Sequence, residues 1–198
     1  MKKLLLILLC VPLIGWSQID LQKLIDNTLD DNIIQFPEGR YLIDSPLEIN
    51  GRSDLMIVGI GKCEILLTDL WDDVLKINNS NNITIHNLHL SHFKPLEEYQ
   101  CNGGVIDVTD SRKIHISRCE LEGSGTIGVT ASKVNDLIIS YCYVHDNTFN
   151  AFYFTDSKDI LIHHCTIKDN ANLMQSYDSD IEMSDNTIED NGGYWKRD

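Results

Sequence analysis

The sequence predicts an all-β chain wound as a right-handed parallel β-helix, a solenoid of about six coils with a short N-terminal capping helix. Three observations predict it. Cys119, Cys142 and Cys165 follow one another at steps of 23 residues, which is a structural period and not a metal-ligand spacing. Segments beginning at Ile83, Ile114, Leu137, Ile160 and Ile181 share apolar columns, the last at a shorter step of 21. The doublets Asp146-Asn147, Asp169-Asn170 and Asp190-Asn191 recur at one place in the repeat, as turn residues do, with the asparagine expected to take the left-handed bend and to hydrogen-bond along the stack.

Within each repeat the first and third positions are apolar (Ile83 and Ile85, Ile114 and Ile116, Leu137 and Ile139, Ile160 and Ile162), the alternation of a half-buried strand. The pattern then changes phase, and the sixth and eighth positions turn inward (Leu88 and Leu90, Cys119 and Leu121, Cys142 and Val144, Cys165 and Ile167), which requires a bend between two strands. A third strand precedes each segment: Leu75 to Ile77, Ile106 to Val108, Val129 to Ala131 and Phe152 to Phe154. A three-strand unit of this length cannot close a core alone, so successive units must stack.

Ahead of the repeats, Met1, Lys2 and Lys3 followed by an apolar run from Leu4 to Gly15 read as a secretory signal ending near Ser17, too short to span a bilayer. The reading places the protein outside the cytoplasm, as a secreted, periplasmic or cell-surface chain with no transmembrane segment. Cys10 offers a lipid anchor, but the bulky Leu9 before it disfavours that processing. Leu21, Leu24, Ile25 and Leu29 fall at helical spacing and supply the cap. Residues 18–50 are assigned to the cap, 51–191 to coils and 192–198 to a tail, within one domain from 18 to 198. The step from Ile83 to Ile114 is 31 residues, and the surplus places a loop at 94–104. The tail is too short for another coil, so the last coil is expected to be the least stable and open to self-association through its edges.

Composition narrows the function. The formal net charge is −14, and removing the two leader lysines makes it −16. So acidic a chain lacks the basic footprint for nucleic acid or anionic lipid. Five cysteines remain after the leader, an odd number with no CxxC, which argues against a disulfide framework, and Cys119, Cys142 and Cys165 are expected to be free, buried thiols stacked in one inward column.

The run from Phe36 to Ile43, then Pro46 to Ile49, Ile57 to Lys62 and Glu64 to Leu66 resembles the N-terminal cap and first coils of pectate-lyase-like right-handed β-helix proteins, and the rest resembles their generic repeat. The resemblance implies a site on the outer face of one sheet beside a long loop, acting on acidic polysaccharide. The matching outward column holds Lys76, Asp107, Thr130, Tyr153 and Gln175. A lyase needs a base to remove the proton beside a uronate carboxylate and a cation to stabilise the enolate, which makes Lys76, Asp107 and Tyr153 the candidate catalytic set. Thr130, Gln175 and His92, at the loop entrance, are the candidate substrate contacts. The paired aspartates with Gly-His-Gly of related hydrolases and the Asp-Pro-His of related epimerases are absent, so the alternative is a non-catalytic glycan- or protein-binding module. No cofactor is implied and the scattered histidine columns indicate no metal centre, although Asp146, Asp169 and Asp190 could line up to hold Ca²⁺.

Overall fold

The computed structural model describes residues 19–93, 102–123 and 126–192. The leader, residues 94–101 of the expected loop and residues 193–198 of the tail lie outside the described residues.

The described residues wind as a right-handed solenoid of three parallel sheets. The first sheet has seven strands, Ile33–Phe36, Ser53–Gly59, Asn81–His86, Arg112–Ser117, Asn135–Ser140, Lys158–His163 and Ile181–Ser184. The second also has seven, Gly39–Ile43, Cys63–Leu67, His89–His92, Glu120–Glu122, Tyr143–His145, Thr166–Lys168 and Thr187–Glu189. The third has six, Leu47–Asn50, Leu75–Asn78, Ile106–Thr109, Ile127–Ser132, Asn150–Thr155 and Asn172–Tyr177. The stretch 18–50 therefore contains a helix and the three strands of the first coil.

The apolar columns are continuous. Leu55, Ile83, Ile114, Leu137 and Ile160 are successive register partners, each at most 2% exposed. Burying each such side chain contributes roughly 1.5–3 kcal/mol, and a stack of them sets the register, because a slip of one residue would turn every inward side chain to solvent.

A helix, Leu21–Asn27, covers the N-terminal end of this core with Leu21 and Ile25 buried. Its N-cap is Asp20, whose carboxylate accepts from the Lys23 N–H at 3.1 Å. Arg52 fastens the other end by donating to the carbonyls of Ile25 and Thr28. Leu29, expected on the helical face, lies beyond the helix and is 79% exposed. Thr28 is already extended, so the helical register has ended before Leu29 is reached.

The corners correct one expectation. At the bend after the second sheet the left-handed residue is the aspartate and not the asparagine: Asp146, Asp169 and Asp190 have φ of 55°, 55° and 49°. The asparagines instead point inward and bond along the axis. Asn147 donates from its side chain to Asn170 Oδ1 at 2.7 Å, and Asn170 donates to Asn191 Oδ1 at 2.8 Å. Both residue types tolerate a left-handed backbone, but only asparagine carries a donor and an acceptor, so it takes the stacked position.

Cys119, Cys142 and Cys165 occupy one buried column with Leu88 and are free thiols, as is Cys63. Cys142 and Cys165 each donate from sulfur to a carbonyl of the preceding coil, Ile116 at 3.6 Å and Ile139 at 3.5 Å. Burial pushes the Cys63 thiol up to about 12. Site-resolved alkylation should therefore leave all four unlabelled in the native protein and label all four after denaturation. A Cys119–Cys142 bridge, or rapid native labelling of either, would contradict this column.

Candidate functional site

Two outward faces carry chemistry. On the third sheet, Glu48, Lys76, Asp107, Thr130, Tyr153 and Gln175 are successive register partners in one outward column, at the roughly 4.8 Å spacing of neighbouring strands. The five residues read as one stripe in the sequence are thus brought together. Alternation explains it: their strand neighbours Leu75, Ile77, Ile106, Val108, Val129, Phe152 and Phe154 fill the core and force them outward. A second outward column runs beside it through Asn50, Asn78, Thr109, Ser132, Thr155 and Tyr177.

The Lys76 ammonium pairs with Asp72 in the loop leading into its strand. Burial would lower its pKa, but the bond to Asp72 and the charges of Asp72 and Asp73 outweigh it and hold it charged beyond the usual lysine range. Asp107 accepts from the Thr109 hydroxyl at 3.1 Å. Burial, then the charge of Asp73, pushes its carboxyl above the usual range. Asp73 itself receives the Gly104 N–H at 2.7 Å. At the far end the rings of Tyr153 and Tyr177 meet edge to face with centroids 6.2 Å apart, and Gln175 donates to the Tyr177 hydroxyl. The stripe thus joins a fixed cation, a carboxyl of raised pKa and an aromatic edge.

His92 is not part of it. Its residue is 1% exposed and a ring nitrogen lies 2.8 Å from the Asp72 carbonyl, so the side chain holds the loop that carries Asp72 and Asp73 from within. His92 ends its strand two residues after the inward Leu90 and in register with the buried Leu67, so strand alternation itself turns the side chain inward.

The second sheet holds residues that column reading passed over. Arg40, Glu64, His89 and Glu120 are successive outward partners, and Glu122 and His145 are partners in the next outward column. His89 Nε2 lies 2.6 Å from Glu122 Oε2, and its Nδ1 lies 3.8 Å from carboxylates of both Glu64 and Glu120. His145 Nε2 is 3.3 Å from Glu120 and its Nδ1 is 2.6 Å from Asp146. The bond from His89 holds the Glu122 carboxyl below its usual range. Burial would lower the pKa of His145, but Asp146 and Glu120 outweigh it and raise it. Single columns make the histidines look scattered, whereas His89 and His145 lie in adjacent columns two coils apart.

Asp146, Asp169 and Asp190 serve the turns. Asp146 is engaged by His145 and Asp169 by Lys168 at 3.5 Å. Among the described residues, the group of histidine and carboxylate side chains whose ligating atoms all lie within 4.8 Å of one another is His89, Glu120 and Glu122.

Residues 48–195 match the family model described as a right-handed β-helix region. No curated protein sequence matches the chain. Among solved structures, the ORF18 protein of Geobacillus virus E2 superposes with a TM-score of 0.66 at 16% identity, covering 83% of this chain and 36% of the viral protein. A putative glycosyl hydrolase from Parabacteroides merdae gives 0.63 at 11% identity, covering 80% and 79%. A pectin methylesterase variant in complex with a hexasaccharide gives 0.63 at 12% identity, covering 88% and 63%. This chain thus spans about a third of the viral protein and less than two thirds of the esterase. Since the family model covers well over half of the sequence and the three sheets wind as that model requires, the chain belongs to the right-handed β-helix family.

Proposed function

We propose that this chain is an exported protein acting on a uronate-containing polysaccharide along the Lys76 to Gln175 stripe. The observation that carries the reading is the register itself: a cation, a carboxyl of raised pKa, a hydroxyl, an aromatic ring and an amide stand in single file. An extended sugar chain offers a matching row of carboxylates, ring faces and hydroxyls. Carbohydrate-active neighbours with the same fold support the polysaccharide class at the level of analogy.

In this reading Lys76, steadied by Asp72, faces a uronate carboxylate and stabilises the enolate formed when the adjacent proton leaves. Asp107 takes that proton, the C4–O bond to the neighbouring sugar breaks as the C4–C5 double bond forms, and the departing oxygen is protonated by solvent. The raised pKa of Asp107 makes it a stronger base than an ordinary carboxylate, and it must be ionised to act, so the rate should climb as pH rises through that raised value. Tyr153, Thr130 and Gln175 hold the flanking sugars.

The test is a screen of pectin, alginate and glycosaminoglycans, reading unsaturated product near 235 nm. In a positive case Asp107→Asn should lose about 10²–10⁴ in rate while still retarding in an affinity gel with the polysaccharide. Full activity in the variant would move the base elsewhere. A second reading, a glycan-binding module without catalysis, is favoured by the closed ion pair of Lys76 with Asp72. Gel retardation with no product from any polymer would select it.

A further inference from the structure

We propose that His89, Glu120 and Glu122, with His145 as a fourth donor, form a binding site for a divalent transition-metal ion of the zinc type on the outer face of the second sheet. The inference is independent of the stripe on the third sheet and of any reading of that stripe.

The geometry points there for three reasons. The three side chains come from two neighbouring strands whose register fixes their separation, and their ligating atoms lie within 4.8 Å of one another. His89 Nδ1 is buried and has no hydrogen-bond partner among the described residues, although carboxylate oxygens of Glu64 and Glu120 sit 3.8 Å away on either side. A buried ring nitrogen left unbonded between two acceptors is costly, and a cation bound at Nε2 would leave the ring proton on Nδ1, where the Glu64 and Glu120 carboxylates face it. The third reason is His145, whose Nδ1 is held by Asp146 at 2.6 Å while Nε2 faces Glu120 at 3.3 Å. A carboxylate behind a histidine is the arrangement that orients an imidazole toward a metal.

The donor set selects the ion. One or two imidazole nitrogens with two carboxylates and no thiolate suit zinc, manganese, nickel or cobalt, whereas calcium wants six to eight oxygens. Charge agrees. Glu64, Glu120, Glu122 and Asp146 crowd one face, and the nearby cations Lys62 and Arg40 are both drawn to Glu64. A bound cation would take the place of the proton shared by His89 and Glu122, and with His145 it would tie three successive coils together.

The experiment is calorimetric titration of Zn²⁺ into the full chain, purified without a histidine tag and stripped with EDTA, with Ca²⁺ as the comparison ion. One equivalent should bind, weakened about 100-fold or more in both His89→Ala and Glu122→Gln, and saturating Zn²⁺ should raise Tm by about 5 °C or more. Glu122→Gln changes one atom of a half-exposed side chain, so it decides the matter if His89→Ala folds poorly. His164→Ala controls for the surface pair His163 and His164, whose ring nitrogens lie 2.9 Å apart. The proposal is overturned by the absence of saturable binding below about 1 mM, by unchanged binding in Glu122→Gln, by binding that disappears only in His164→Ala, or by Ca²⁺ binding as tightly as Zn²⁺.

Discussion

Gly59→Ala should unfold the first coils at a temperature well below that of the parent chain. A Cβ at this position would stand 2.1 Å from the Asn87 carbonyl oxygen and 2.9 Å from both Cys63 Cβ and Leu88 Cδ2. The first of these is backbone, and Asn87 is itself pinned, because it holds a left-handed corner with φ of 54° and donates to the Gly59 carbonyl at 2.7 Å. Neither side can yield without opening the bend between the first two sheets. The expected loss is about 3 kcal/mol or more, or about 10 °C in Tm for a chain of this length. Gly51→Ala separates the causes. Gly51 has φ of 63°, and a methyl added there would meet nothing within 4 Å, so the substitution carries only left-handed strain of roughly 1–2 kcal/mol. Equal losses in the two variants, measured by thermal melting, would refute the steric account.

Asn170→Ala is expected to cost about as much by the opposite route, removing partners instead of adding atoms. Its Oδ1 accepts from the backbone and side chain of Asn147, at 3.1 and 2.7 Å, and its amide donates to the carbonyls of Val144 and Lys168 at 3.0 Å. Asn170 is 2% exposed and Asn147 is wholly buried, so water cannot replace what is lost. With each stranded group costing about 1–3 kcal/mol, a total near 3 kcal/mol follows. Asn191→Ala, at the more exposed end of the ladder, should cost about 1 kcal/mol. Chemical denaturation of the two variants checks the order, and an Asn191 effect equal to that of Asn170 would mean that burial does not govern the ladder.

The inward half of this molecule was legible from the amino acids and the outward half only partly so. Ile85, Ile116, Ile139 and Ile162 announce their column because the core admits few alternatives at a stacked position. The stripe from Lys76 to Gln175 was legible for the same reason at one remove, since its members are whatever lies between inward residues. The partners of that stripe were not. Asp72 and Asp73 lie in a loop with no period, and only the folded chain brings them to Lys76 and Asp107. The cluster at His89 was hidden differently. Its positions are periodic, but each column holds mixed residue types, and a contact between Glu120 and His145 runs diagonally across neighbouring strands. At the corners the stacking of the asparagines was legible, but the left-handed backbone falls on the aspartates, because sequence spacing does not tell which of two tolerant residues carries it.

The shared register also limits how such a chain can change its length. Removing one residue inside a strand would invert every side chain after it until the next corner, exposing isoleucines and burying charges. Removing a whole turn of the solenoid would rejoin like to like, with Ile in place of Ile and a carbonyl where a carbonyl had been. Duplication and loss by entire coils are therefore the small steps available to this architecture, and the eight surplus residues between Ile83 and Ile114 fall, in sequence, between the strands His89–His92 and Ile106–Thr109.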